Sequence, residues 1–416
     1  MRRRARRAQR AQARASRRRP PASDGGANLL ATRWGRLLCA AVGGLAVATV
    51  VGLLLLWPPS QHGGTSEAFG GPTTAASVTA ARDVRCPGPV AQRCRRLTAR
   101  LDEGADSGRT AQLDLGPVNL VSTYAPGDSI RVHAAPAAPG AAAGPAYQLA
   151  GPDRRGTLVW LIAGFALLVV LLARWRGLLA LVGFAASLAL VVKFLVPAML
   201  AGSAPLLVAV VGALAVMFIT VGLTYGVSVQ SAAAVLGIAA SLLFAGIAGA
   251  IAVDSAKLDG RSSELASYLE QSHGGLSLQG VVLAGVVLGA LGVIADMAVT
   301  QASAVMALRR TDPRLDARRL FTRAFGVGRD HLVATTHTLV LVYVAATLPL
   351  LLVLQSASVG FTDAVNFEDV AGPIVATLIG AIALLLSVPL TTAVAALLVS
   401  HASPGDLPAG HHGHEH

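Results

Sequence analysis

Asp296 is a carboxylate inside an apolar run that begins near Gly280 and ends at Leu308. In hydrocarbon a charge at that depth is expensive, and it persists only with a partner, a water-filled cavity or a proton. Thr300 and Ser303 follow at i+4 and i+7, so the three share one helical face, with Gln301 off to one side. Counting about 1.5 Å per residue back from Arg309 puts Asp296 roughly 20 Å from that boundary. That is deep in a core about 30 Å thick. Two chemistries suit such a face. One is a binding position for an ion, a proton or a polar solute inside a bundle. The other is a structural carboxylate, hydrogen-bonded to Thr300 and a neighbouring helix.

Lys193 is the other full charge deep in an apolar run, about 26 Å from Arg176 by the same rise. It either pairs with Asp296, at a depth only about 6 Å different, or snorkels toward the outer surface past Pro197. A later run opens with Thr335, Thr336, His337 and Thr338 and carries Tyr343 and Thr347. Of these, Thr336, Tyr343 and Thr347 fall on one face. The last run holds Ser387, Pro389, Thr391 and Thr392, where proline removes a backbone bond and frees a carbonyl near hydroxyls. Thr220, Thr224 and Tyr225 are joined by a Gly226 turn to Gln230 and Ser231. Such groups line a polar path or act as helix glue. His337 has the chemistry of a proton relay, since its charge changes near physiological pH; a hydrogen-bonded histidine is the alternative. The set at membrane depth is therefore Asp296, Thr300, Ser303, Thr336, His337, Tyr343, Thr391 and Lys193.

The elements that must position this set follow from composition. The chain has 416 residues, 54% hydrophobic and 13% charged, with a mean hydropathy of +0.61. Too little polar surface remains to cover water-soluble cores, whereas spanning helices need about 20 mostly apolar residues each. The net charge of +12 is concentrated: twelve arginines precede residue 37, accompanied by one acid, Asp24. Immediately ahead of an apolar helix such a run means cytoplasmic retention or contact with lipid rather than nucleic acid.

The sequence predicts an α-helical polytopic membrane bundle of about eight transmembrane helices, with a small extracytoplasmic β domain between the first and second spans. Residues 1–36 form an Arg-rich cytoplasmic tail and 37–57 a signal-anchor helix, too long in its apolar core for a cleaved signal. Seven further apolar runs lie at about 157–173, 178–200, 205–224, 229–252, 279–307, 332–354 and 372–400. Segments assigned inside carry Arg174 and Arg176, then seven arginines from Arg309 to Arg329. Those assigned outside carry Asp254, Asp259, Glu264 and Glu270, then Asp363, Glu368 and Asp369. This alternation sets both termini in the cytoplasm, in a plasma-membrane protein whose bundle covers 156–400 and whose His-rich tail is 401–416. Gly285 and Gly289 make a GxxxG step with Gly292 beyond, read as ordinary helix packing.

Residues 58–155 are polar, with short alternating runs at 77–84, 96–101, 110–115, 129–133 and 146–149 and a turn signal at Pro126-Gly127-Asp128. That pattern predicts a small β barrel or sandwich, interrupted by an Ala/Pro/Gly-rich loop at 134–144. It serves either as a sensing or docking module or as a cap without ligand. Cys86 and Cys94, with seven residues between them, lie in this external segment, where a disulfide persists. Cys39 is a packing residue of the first helix.

No phosphate-binding G-x-x-x-x-G-K-[ST], no H-E-x-x-H and no G-x-S-x-G occurs, which argues against an enzyme and against a resident cofactor or metal. The tail histidines His411, His412, His414 and His416 chelate metal loosely at most.

Three stretches carry a resemblance: GVIADMAVTQASAV at Gly292–Val305, FGVGRDHLVATTHTL at Phe325–Leu339 and SVPLTT at Ser387–Thr392. In them the chain resembles the YibE/F-like family of bacterial multi-pass membrane proteins, well over 155–400 and loosely over 58–155. The resemblance implies a plasma-membrane helical bundle with a small external domain, and no particular reaction. Two functions are then expected. The first is a permease for a small solute or ion, with the bilayer as its other partner. The second is a non-transporting envelope component that presents its external domain to a partner.

Overall fold

The computed structural model describes residues 33–59, 72–86, 92–135, 146–262, 266, 268–269 and 275–400. The arginine-rich residues 1–32, most of the Ala/Pro/Gly insert, Glu264, Glu270 and the histidine tail lie outside the described residues. The chain forms two compact units, Ser60–Arg174 and the remainder.

In the first unit five strands form one antiparallel sheet: β1 (Thr73–Arg85), β2 (Arg93–Leu101), β3 (Thr110–Pro117), β4 (Ser129–Ala135) and β5 (Ala146–Pro152). The alternating runs of the sequence all fall within these strands. The order is β3-β2-β1-β4-β5, and β3 and β5 approach each other, so the sheet curls into a half-barrel. Alternation drives the curl: Val78, Leu97, Leu101, Leu113, Ile130 and Val132 are all buried on the inner face. Charges on the outer face neutralise one another. Arg96 is bidentate on Asp114, Arg93 and Arg95 both reach Asp83, and Arg131 pairs with Glu103. The β1–β2 hairpin is closed by the Cys86–Cys94 disulfide. In the Pro126-Gly127-Asp128 turn, Gly127 takes a left-handed φ of 97° and the Asp128 carboxylate accepts from the Ala125 amide at 2.7 Å.

Besides a single helical turn at Phe361–Ala364, the helices are α1 (Arg33–Leu55), α2 (Arg155–Leu190), α3 (Val196–Leu200), α4 (Pro205–Tyr225), α5 (Val229–Ser255), α6 (Leu278–Thr311), α7 (Ala317–Ser356) and α8 (Glu368–Ser400). A π-helical turn, Val191–Leu195, joins α2 to α3 without a gap. Among the described residues, seven helical stretches are long and apolar enough to cross a membrane. The two runs expected at 157–173 and 178–200 are continuous there as one stretch, Arg155–Leu200, of 46 residues. Its backbone breaks at Arg174, with φ 51° and ψ −130°.

Around α6 pack α4, α5, α7 and α8. The packing is inverted relative to a water-soluble protein. Small residues fill the interior, among them Ala213, Ala245, Ala290, Ala298, Ala383 and Ala395. Large aliphatics such as Leu243, Ile247, Leu341, Val342 and Leu352 point outward. That is what lipid-facing helices require, since between helices the gain comes from close backbone approach. The tightest approach is Gly237 of α5 against Thr391 of α8, where any side chain would collide. Helix ends are capped conventionally: Ser228, Ser277 and Asp316 accept from amides of the first turns of α5, α6 and α7.

At the end of the half-barrel, Arg155 grips Asp153 through Nε at 3.0 Å and Nη2 at 2.7 Å, with its backbone amide also donating at 3.0 Å. These bonds hold the Asp153 carboxyl at about 2 instead of 3.8. A depressed folded value means the contribution is complete above the ordinary carboxylate range and is lost as pH falls toward 2. Arg155→Gln, which keeps the backbone bond, should raise the Asp153 midpoint from about 2 toward 3.8 in a carbon-detected NMR titration of the full chain. A midpoint that stays near 2 in this variant would assign the shift to another group.

Candidate functional site

Helix α6 has two faces of opposite character. Residues 287, 291, 294, 298, 302 and 305 are buried against the bundle. On the other side Gly285, Gly289, Gly292, Asp296, Thr300 and Ser303 fall within an arc of about 80° at 100° per residue. Of these, Gly285, Gly292, Asp296 and Thr300 are exposed, and Gly289 and Ser303 are half-buried. Nothing lies within 4 Å of a side chain built at Gly285 or Gly292. Gly289 admits the Tyr343 hydroxyl of α7, whereas Gly285 and Gly292, also expected to pack helices, line an open, shallow stripe. Over eighteen residues it runs about 27 Å.

Polar groups of other elements meet this stripe at three levels. At one end lies a cavity of about 470 Å³, lined by Gly285, Tyr343 and, from the start of α8, Glu368, Asp369, Gly372 and Pro373. Glu368 accepts from the Gly260 amide at 2.6 Å, and Asp369 accepts from the Ser262 hydroxyl at 3.1 Å, which ties the residues that follow α5 to the rim of the cavity. One turn further, the Tyr343 hydroxyl overhangs Gly289. At the far end the α4–α5 turn closes in: Gln230 donates to the Ser303 hydroxyl at 2.6 Å, and Tyr225 lies within electrostatic reach of both Asp296 and Arg176. Asp296 stands between these levels. It makes no hydrogen bond or ion pair among the described residues, to Thr300 or to any other group.

The remaining predicted residues are placed elsewhere. Thr391 is fully buried on the far side of α8, against Gly237, and its hydroxyl has no partner among the described residues. Thr336 is half-buried, its hydroxyl donating to the Leu332 carbonyl of its own helix at 2.9 Å. His337 is exposed on the outer face of α7. Lys193 is exposed in the π-helical turn and forms no ion pair with Asp296. The structure thus brings together Asp296, Thr300, Ser303 and Tyr343, and leaves Lys193, His337, Thr336 and Thr391 outside the stripe.

Gln301 lies off the Asp296 face, yet it joins three helices in the core. At 1% exposure, its amide donates to the Ala324 carbonyl at 3.1 Å and to the Thr392 hydroxyl at 2.9 Å, linking α6, α7 and α8. Gly328 is small because the Gln301 amide occupies the space its side chain would take. The pairing of Gly328 with an amide one helix away has no local signature in the chain.

These are features of a bundle that spans a membrane, and the match to known families agrees. The model of the YibE/F-like family, described as YibE/F-like protein, matches residues 161–401, and the chain belongs to that family. No curated protein and no solved structure matches it.

Gln301 and Asp296 should respond oppositely to substitution. Gln301→Ala removes two buried hydrogen bonds and should cost about 1–3 kcal/mol, seen as a lower Tm in detergent. Asp296→Asn breaks no bond in the fold and should stay within about 0.5 kcal/mol of the parent. A large loss of stability in Asp296→Asn would make the carboxylate a structural one.

Proposed function

We propose that the chain is a permease for a small solute or ion, and that the stripe along α6 is the surface the solute follows. One observation carries this reading. An ionisable group that forms no ion pair among the described residues sits midway along a continuous polar and glycine face, with a cavity at one end and polar side chains at the start of α5 at the other. A structural carboxylate in hydrocarbon would be hydrogen-bonded; one left open suits a group that exchanges partners. Glycine spacing suits it too, because a face without side chains leaves room for a hydrated solute beside the helix.

The topology proposed with it has eight crossings and both termini on the cytoplasmic side of the plasma membrane. The stretch Arg155–Leu200 spans about 69 Å at 1.5 Å per residue, more than twice the hydrocarbon thickness. Its break at Arg174, beside Arg176, is where a chain crossing twice would turn. With that turn inside, the basic segments fall on one side and the acidic loops on the other. The reading is non-enzymatic.

A second reading draws on the half-barrel. A groove of about 560 Å³ lies between β3 and β5, lined by Gln112, Asp114, Tyr124, Tyr147 and Gln148 among others. Aromatic and amide side chains around a concave opening favour docking of a partner by an envelope component.

Purified protein in proteoliposomes separates the two. For a permease, solute or ion flux under an imposed gradient should fall at least about tenfold in Asp296→Asn, the loss of about 1.4 kcal/mol of stabilisation along the path. Removing residues 72–152 should leave that flux in place. Absence of flux in folded protein under every imposed gradient, with a cellular phenotype that depends on the half-barrel alone, would decide for the docking reading.

A further inference from the structure

We propose that one face of α7 is a binding site for the phosphate groups of anionic membrane lipids. Arginine is dense where α6 ends and α7 begins: Arg309, Arg310, Arg314, Arg318, Arg319, Arg323 and Arg329. On α7, residues 320, 324 and 328 are buried against the bundle. Arg318, Arg329, Arg319 and Arg323 occupy the opposite arc, about 140° wide at 100° per residue, and all four are exposed. Asp330 is the one acid on that arc.

These charges are not neutralised within the described residues. The seven ion pairs found there all belong to the half-barrel unit, where Arg93, Arg95, Arg96, Arg100, Arg109, Arg131 and Arg155 each have a carboxylate. Of the nearby acids, Asp330 forms no ion pair among the described residues, and Asp312 and Asp316 are committed to backbone. Asp312 accepts from the Arg314 amide at 3.1 Å, and Asp316 accepts from the Arg319 amide at 2.9 Å as the cap of α7. Arg309 adds a buried cation: it is 9% exposed, its Nη1 donates to the Leu315 carbonyl at 2.5 Å, and its Nε has no acceptor. A cluster of like charge that repels itself gains by finding external anions.

Position and geometry select which anions. The apolar run of α7 begins at Leu332, so Arg329 lies about one turn and Arg323 about two and a half turns from that boundary, near the level of lipid headgroups, while Arg319 and Arg318 extend the arc to about 20 Å from it along the helix. The guanidinium fork matches phosphate oxygens, and Gly326, in the middle of the arc, leaves the surface between the arginines open. A helix with a basic arc beside the boundary is the arrangement that holds anionic headgroups. The proposal is independent of transport along α6.

The test is retention of phosphatidylglycerol by the full-length protein, read by native mass spectrometry from nanodiscs of mixed phosphatidylglycerol and phosphatidylcholine. The parent should retain phosphatidylglycerol selectively. Each single Arg→Gln substitution at 323 or 329, nearest the boundary, should weaken retention about fivefold and at 318 or 319 by less, and substitutions to lysine, which keep the charge without the fork, should restore part of it. Single variants keep the test readable if the fourfold variant does not fold. Glutamine variants that are folded and retain lipid like the parent would overturn the proposal. So would release of the lipid by millimolar inorganic phosphate, which would make the arc a site for a free anion.

Discussion

Hydrocarbon offers no hydrogen-bond partners, and this one constraint organises the bundle. Backbone groups are satisfied by helix formation, and most hydroxyls along the spans are satisfied the same way, by donating to a carbonyl one turn back, the buried Ser387 and Thr391 being without a partner among the described residues. Thr49, Ser187, Thr220, Ser241, Ser303, Thr336, Thr347, Thr377 and Thr392 all do so. Serine and threonine at depth are thus largely closed on their own helices. Other polar groups look elsewhere: Gln301 to two other helices, Gln230 to α6, and Asp296 to no hydrogen-bond or ion-pair partner among the described residues.

The same constraint explains why α6 is central and two-faced. Its buried side meets α5 and α8 over long contact lines of alanine and small aliphatics, where backbones come close enough for dispersion to hold them. The Gln301 amide fixes the rotational setting of α6 against α7 and α8 through bonds that admit little tolerance in angle. With α6 held there, the glycines, Asp296 and Thr300 have to face the opposite way. Openness of the stripe therefore follows from how tightly the other face is bound.

The half-barrel obeys a different rule because its outer face meets water. Charged pairs across neighbouring strands, Arg96 with Asp114 and Arg95 with Asp83, keep its surface near neutrality, each worth little by itself in solvent. Its stability rests on the alternating apolar residues of the inner face and on the closed β1–β2 hairpin. At the α6–α7 junction the arginines have no such partners among the described residues, so charge there is offered outward rather than cancelled.

The amino-acid sequence by itself determined the class of the protein, because apolar runs of spanning length and period-two alternation are local signals written in consecutive residues. It placed the five strands to within a few residues and identified the carboxylate inside α6. It read as two runs, 157–173 and 178–200, where the structure has one helical stretch with a backbone break at Arg174, because two arginines in an apolar run do not by themselves interrupt helical hydrogen bonding. It did not separate Asp296, Thr300, Ser303 and Tyr343 from Lys193, His337, Thr336 and Thr391, because side chains at equal depth are alike until the rotation of each helix is set. Only the tertiary structure decided that rotation, through contacts between distant positions such as Gln301 with Thr392 and Gly237 with Thr391. Those contacts turn glycines that read as packing residues into the floor of an open stripe, for the physical reason that a helix can bury only one of its faces against its neighbours.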